Sequence, residues 1–150
     1  MDVESQRTDI FHITYESQRE IAGKPTLKLN LWVDTVDKQV MGVGQVFESA
    51  SSPVTVLSDV SGGWFRRVNM AFPHILLVAE GHESSALLPN DESASGLNLR
   101  MRVSLGTDWR SGVVHFEYMS NRYWHTVIGE RITVNLGALH KQLQGATQAH

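Results

Sequence analysis

Apolar and polar residues alternate along most of this chain. Leu27, Leu29, Leu31 and Val33 are apolar, with Lys28, Asn30 and Asp34 between and after them. Leu97, Leu99, Met101, Val103 and Leu105 repeat the pattern against Asn98, Arg100, Arg102 and Ser104. A period of two places successive side chains on opposite faces of a strand, one buried and one wet. The pattern recurs from Ile10 onward and predicts an antiparallel all-β domain. Frequent turn signals divide it into roughly eight to ten short strands, as in a β-sandwich or flattened barrel.

The first strand is expected over Ile10 to Glu16, the second over Thr26 to Val33 and the third over Val40 to Glu48. Gly42 and Gly44 fall on one side of the third, where glycine marks a bend, a bulge or close backbone approach. Gly42-Val43-Gly44 is not a dinucleotide loop, because the third glycine and the following helix are missing. Val54 to Val60 and Trp64 to Phe72 read as a hairpin around Ser61-Gly62-Gly63. A three-residue loop there places Val54, Val56 and Val60 on the same face as Trp64, Val68, Met70 and Phe72. His74 to Gly81 is denser in apolar residues and reads as a strand covered on both faces. Residues 82–96 read as a long polar loop.

A second hairpin is expected at Ser120-Asn121-Arg122, again with three loop residues, and Gly129-Glu130-Arg131 bends into Ile132 to Val134. One short helix is predicted last, capped by Asn135, with Leu136, Leu139 and Leu143 at helical spacing and Gly145 as its stop. The domain plan is a frayed tail over 1–9, a single β domain over 10–145 and a tail over 146–150.

Composition narrows the function by exclusion. With 150 residues the chain has the size of one domain. It has no cysteine, which removes disulfides, thiolate catalysis and cysteine-bound metals. A net charge of -3 argues against a dedicated nucleic-acid binder. Most arginines nevertheless lie between Arg66 and Arg131, so a local anion-facing patch fits. No stretch has the apolar length of a membrane span, and the acidic start does not read as a signal peptide. The expected location is the cytoplasm, with signal-less export as the alternative.

Three constellations carry chemistry. In the second hairpin, the three-residue loop gives Val114, Phe116, Tyr118, Trp124, Thr126 and Ile128 a core-like face, and on the opposite face it places Glu117 across from His125, with His115 two residues along. Two imidazoles and a carboxylate on one face suit a divalent metal or an acid–base pair. The competing reading is a solvated sheet face. The second constellation is aromatic and basic. Trp109-Arg110 and Arg122-Tyr123 lie at turns, and would line one shared site if those turns gather at one end. Aromatic faces beside hydrogen-bond donors suit sugar rings. Trp32 stands on the polar side of the second strand, either covered by a loop or exposed as a contact residue. The third is Arg100 with Arg102, which face one way and suit an anion, a solvated strand face or a guarded sheet edge. No serine lies in a nucleophile elbow.

The run Gly129-Glu130-Arg131-Ile132-Thr133-Val134 resembles a strand in fungal fruit-body lectins, which are β-sandwich sugar binders. The likeness covers these few residues and transfers no sugar-binding position.

The reading is a non-enzymatic binding domain that recognises a carbohydrate or a protein, with no cofactor implied. The alternatives are a metal-dependent or acid–base enzyme using His115, Glu117 and His125, and a structural subunit that oligomerises through strand edges or Trp32.

Overall fold

A computed structural model describes residues 9–18, 23–49, 53–68, 71–84 and 96–135. The eight strands are β1 (Ile10–Ser17), β2 (Thr26–Asp34), β3 (Gln39–Phe47), β4 (Val56–Arg67), β5 (His74–Glu83), β6 (Leu97–Leu105), β7 (Ser111–Ser120) and β8 (Tyr123–Val134). Each pairs antiparallel with its sequence neighbour, and β8 returns to β1 to close a barrel. The closing seam is the narrowest contact. It pairs Tyr15 with Val134, Glu16 with Thr133 and Ser17 with Ile132, against seven pairs between β1 and β2.

Alternation supplies the core directly. Leu27, Leu29, Leu31 and Val33 of β2 face inward with Ile75 and Leu77 of β5, Leu99, Val103 and Leu105 of β6, and Val114 and Phe116 of β7. An eight-stranded barrel has an interior just wide enough for side chains to fill. Lys28, Asp59, Glu80, Arg100, Arg102, Glu117 and Arg131 take the outward positions between them. An apolar inside with a charged outside is the reverse of the polarity of a membrane-spanning barrel. Among the described residues, no helix is long and apolar enough to cross a membrane.

Loop 105–111 plugs one end of the barrel. Trp109 adopts a left-handed backbone, φ 67°, and inserts its ring edge-on between Phe11, at 5.3 Å, and Trp64, at 4.9 Å. The Tyr15 hydroxyl donates to the Trp109 carbonyl over 2.6 Å, and the Trp64 indole N–H donates to the Asp34 carbonyl over 3.0 Å. At the other end, the Tyr118 hydroxyl donates to Glu48 and the buried Glu130 meets Lys24 at 2.9 Å.

Several local expectations change. Ser61-Gly62-Gly63 is not a turn, since β4 runs through it unbroken. A Cβ on Gly62 would stand 2.1 Å from the Val78 carbonyl oxygen, so glycine there serves close approach of β5. Val56, Val60 and Trp64 still share the inward face, because three intervening residues and an unbroken strand have the same parity, but Val54, Val68 and Phe72, expected on that face, lie outside β4 and are exposed, and Met70 lies outside the described residues. β5 is covered on one face only, with Val78 39% exposed, and it extends to Glu83, into the expected loop.

The second hairpin has two loop residues. Ser120 pairs with Tyr123, and Asn121 and Arg122 both have positive φ, 55° and 71°. Those signs define the tight turn whose twist matches the flanking strands. Gly129 lies inside β8 rather than at a bend between strands. The expected helix lies outside the described residues from Leu136 onward, as do residues 85–95 of the long loop.

Candidate functional site

The two-residue turn decides the fate of the histidine–carboxylate cluster. It shifts β8 by one position against the expected register, so Glu117 pairs with Thr126 and Tyr118 pairs with His125. His125 therefore stacks on the inward Tyr118, with ring centroids 5.0 Å apart and planes 18° apart. Its Nε2 donates to the Ser120 carbonyl over 3.2 Å. His115 and Glu117 stay on the outer face, across the sheet from His125. The metal or acid–base arrangement of His115, Glu117 and His125 is thus not assembled, and no group of three metal-ligating side chains occurs among the described residues. The same slip turns Trp124, Thr126 and Ile128 outward, where a core face was expected.

The shared aromatic site also separates. Antiparallel order puts the strand ends at Asp34, Gln39, Arg67, His74, Leu105 and Ser111 at one end of the barrel, and those at Ser17, Thr26, Phe47, Val56, Glu83, Leu97, Ser120 and Tyr123 at the other. Trp109 and Arg110 lie at the first end, and Arg122 and Tyr123 at the second. Trp109 is committed to the plug, while Arg110, Arg122 and Tyr123 are exposed.

Trp32 is a surface residue, 53% exposed, on the outer face of β2. Strand register lines up His12, Trp32, Met41 and Ser61 across β1 to β4, and Thr14, Asn30, Val43 and Asp59 in the next row. His12 rests against the indole at 4.7 Å, tilted by 48°, and its Nε2 bonds the Asn30 side-chain oxygen. That bond occupies the oxygen of Asn30 and leaves its amide N–H groups as donors and the other His12 nitrogen as acceptor. Met41, 61% exposed, extends the apolar surface on the other side. From β1 to β4 the row containing Trp32 holds no carboxylate, lysine or arginine, and on β5 it continues into Glu80. His12, Met41 and Ser61 were not legible as neighbours of Trp32, because their adjacency comes from pairing between strands.

A second outward feature crosses β5 to β8. It is a furrow of about 530 Å³ lined by Val78, Arg100, Arg102, His115, Thr126 and Ile128, with Glu117 beside them. A bulge in β8 borders it. Val114 pairs with Glu130 and Phe116 with Val127, so two residues, Ile128 and Gly129, oppose the single His115. Gly129 takes φ 73°, a conformation that glycine adopts without strain, and Ile128 is left 71% exposed. Arg100 and Arg102 belong to central strand β6, so the edge-guard reading does not apply to them.

A family model described as a domain of unknown function (DUF1842) matches residues 8–124, and the chain belongs to that family. No curated protein matches the chain.

Proposed function

We propose that this barrel is a non-enzymatic carbohydrate-binding domain whose site is the outer face around Trp32. The half-exposed indole is the observation that carries the reading. Burying a ring of that size against an apolar ligand face is strongly favourable, and a sugar offers such a face in its C–H groups. His12, Asn30 and Thr14 stand in the register positions beside Trp32, with Ser61 two strands away, and supply donors and acceptors that match hydroxyl groups. The filled interior supports an outer site, because the inward positions are taken by core side chains. The site lies on rigid strands, so little ordering cost attends binding.

A glycan array with the full chain, followed by titration of any hit against tryptophan fluorescence, tests this. Binding that disappears in Trp32→Ala and persists weakly in Trp32→Phe supports the reading. A silent array, or a hit that Trp32→Ala still binds, overturns it. Self-association of the native chain that Trp32→Ala abolishes in light scattering also overturns it, and assigns the face to a second copy.

A further inference from the structure

The outer rows of β6 hold two arginines in different electrostatic settings. Arg100 has Glu80 and Glu117 as its register partners on either side. Its Nε lies 3.9 Å from Glu117, and its guanidinium covers the Trp124 ring at 4.2 Å. Arg102 is one row along, with Val78 and His115 as its register partners. No carboxylate among the described residues forms an ion pair with it. Among the described residues, the furrow therefore contains one compensated cation and one uncompensated cation. Glu117 is itself engaged, by Arg100 and by the Thr126 hydroxyl at 3.3 Å.

His115 adds a donor of fixed identity. The Gly129 N–H donates to His115 Nδ1 over 3.1 Å, so that nitrogen carries the lone pair and the ring proton resides on Nε2. The bulge thus sets the tautomer. Beyond His115 the row reaches Ile128, and beyond Arg102 it reaches Val78, both exposed, with Gly63 as the next register partner of Val78. The row spans three strand spacings, roughly 14 Å. It reads as charge and donor at the centre with apolar shoulders.

We propose that this furrow binds a small carboxylate carried on an apolar body. One carboxylate oxygen meets the Arg102 guanidinium and the other meets His115 Nε2–H, while the apolar body lies against Ile128. A single negative charge is what one uncompensated guanidinium and one neutral donor can match. An inorganic dianion would remain half-compensated and make no use of Ile128. Arg102 on β6 is four strands around the closed barrel from Trp32 on β2, and the furrow shares no residue with the Trp32 face, so the site stands independently of the carbohydrate reading.

Hexanoate is the probe, titrated into the isotope-labelled full chain and followed by NMR at the Gly129 amide and the Ile128 methyl groups. Saturable shifts at both are expected. Acetate, hexanol and inorganic phosphate, which lack the body, the charge or both matching features, should bind about tenfold more weakly or not at all. Arg102→Gln should weaken hexanoate about tenfold, and Arg110→Gln, at the barrel end, should leave it unchanged. Both positions are exposed, so neither substitution touches the core. Hexanoate that leaves the furrow resonances still, that binds Arg102→Gln as it binds the native chain, or that phosphate matches, overturns the proposal.

Discussion

His125 lies flat on Tyr118, 5.0 Å between ring centroids, on the opposite side of the sheet from His115. This stack follows from the length of the turn that joins β7 to β8. Asn121 and Arg122 both take left-handed φ, and the pairing of Ser120 with Tyr123 leaves only these two residues in the loop. Arginine is strained at such an angle, whereas glycine is not.

Arg122→Gly should therefore stabilise the domain by about 0.5–1 kcal/mol, the gain from relieved strain partly offset by a freer unfolded chain. Inserting one glycine between Asn121 and Arg122 would press β8 toward the other register, exposing His125 and burying Trp124, and should destabilise strongly. Equilibrium denaturation of the two variants checks the pair. A stabilising insertion would show that the two-residue turn does not set the register.

Tyr118 makes stability fall at alkaline pH. Burial first, and then the Glu48 carboxylate with its hydrogen bond, push the phenol up to about 12 from an ordinary value near 10. The folded state holds the proton more tightly than the unfolded state. The contribution is thus fully present below about pH 10 and is lost as pH rises toward about 12. Tyr15, raised by burial and then by Asp108, acts in the same direction at still higher pH. Unfolding free energies of the native chain and Tyr118→Phe, measured across this window, should converge as pH rises if the variant lacks the ionising group. Parallel slopes would remove Tyr118 from the alkaline transition.

Gly62 distinguishes a strand from a turn. In a Ser61-Gly62-Gly63 hairpin with normal backbone angles, alanine at position 62 would be neutral or slightly stabilising, because it restricts the unfolded chain. In the continuous β4 its Cβ meets the Val78 carbonyl and Ala79, so β5 must shift, and Gly62→Ala should cost about 1–3 kcal/mol. A thermal midpoint equal to that of the native chain would contradict the unbroken strand.

The two hairpin expectations show how far local pattern reaches. At residues 61–63 the turn was wrong but the faces of Val56, Val60 and Trp64 were right, since an odd insertion preserves parity. At residues 120–122 the same three-residue assumption inverted every side chain from Tyr123 to Ile128. Gly129 then adds one residue at the bulge, and Ile132 returns to the interior as the core demands. A glycine at position 129 is consistent with a bulge or a bend, and nothing local selects between them. Trp32 was legible as the misfit on a wet face, while His12, Met41 and Ser61 beside it were not. The contrast between Arg100 and Arg102 was likewise hidden, because each is defined by residues on β5 and β7.

Along each strand, the sequence alone determined which residues seek the interior, because side-chain alternation is a property of neighbouring residues. The tertiary structure decided turn lengths, the closure of β8 on β1, and the separation of Trp109 from Arg122 to opposite ends. Those outcomes depend on backbone torsions and pairings between distant segments, whose energies are summed over the whole barrel and are not written in any single stretch of chain.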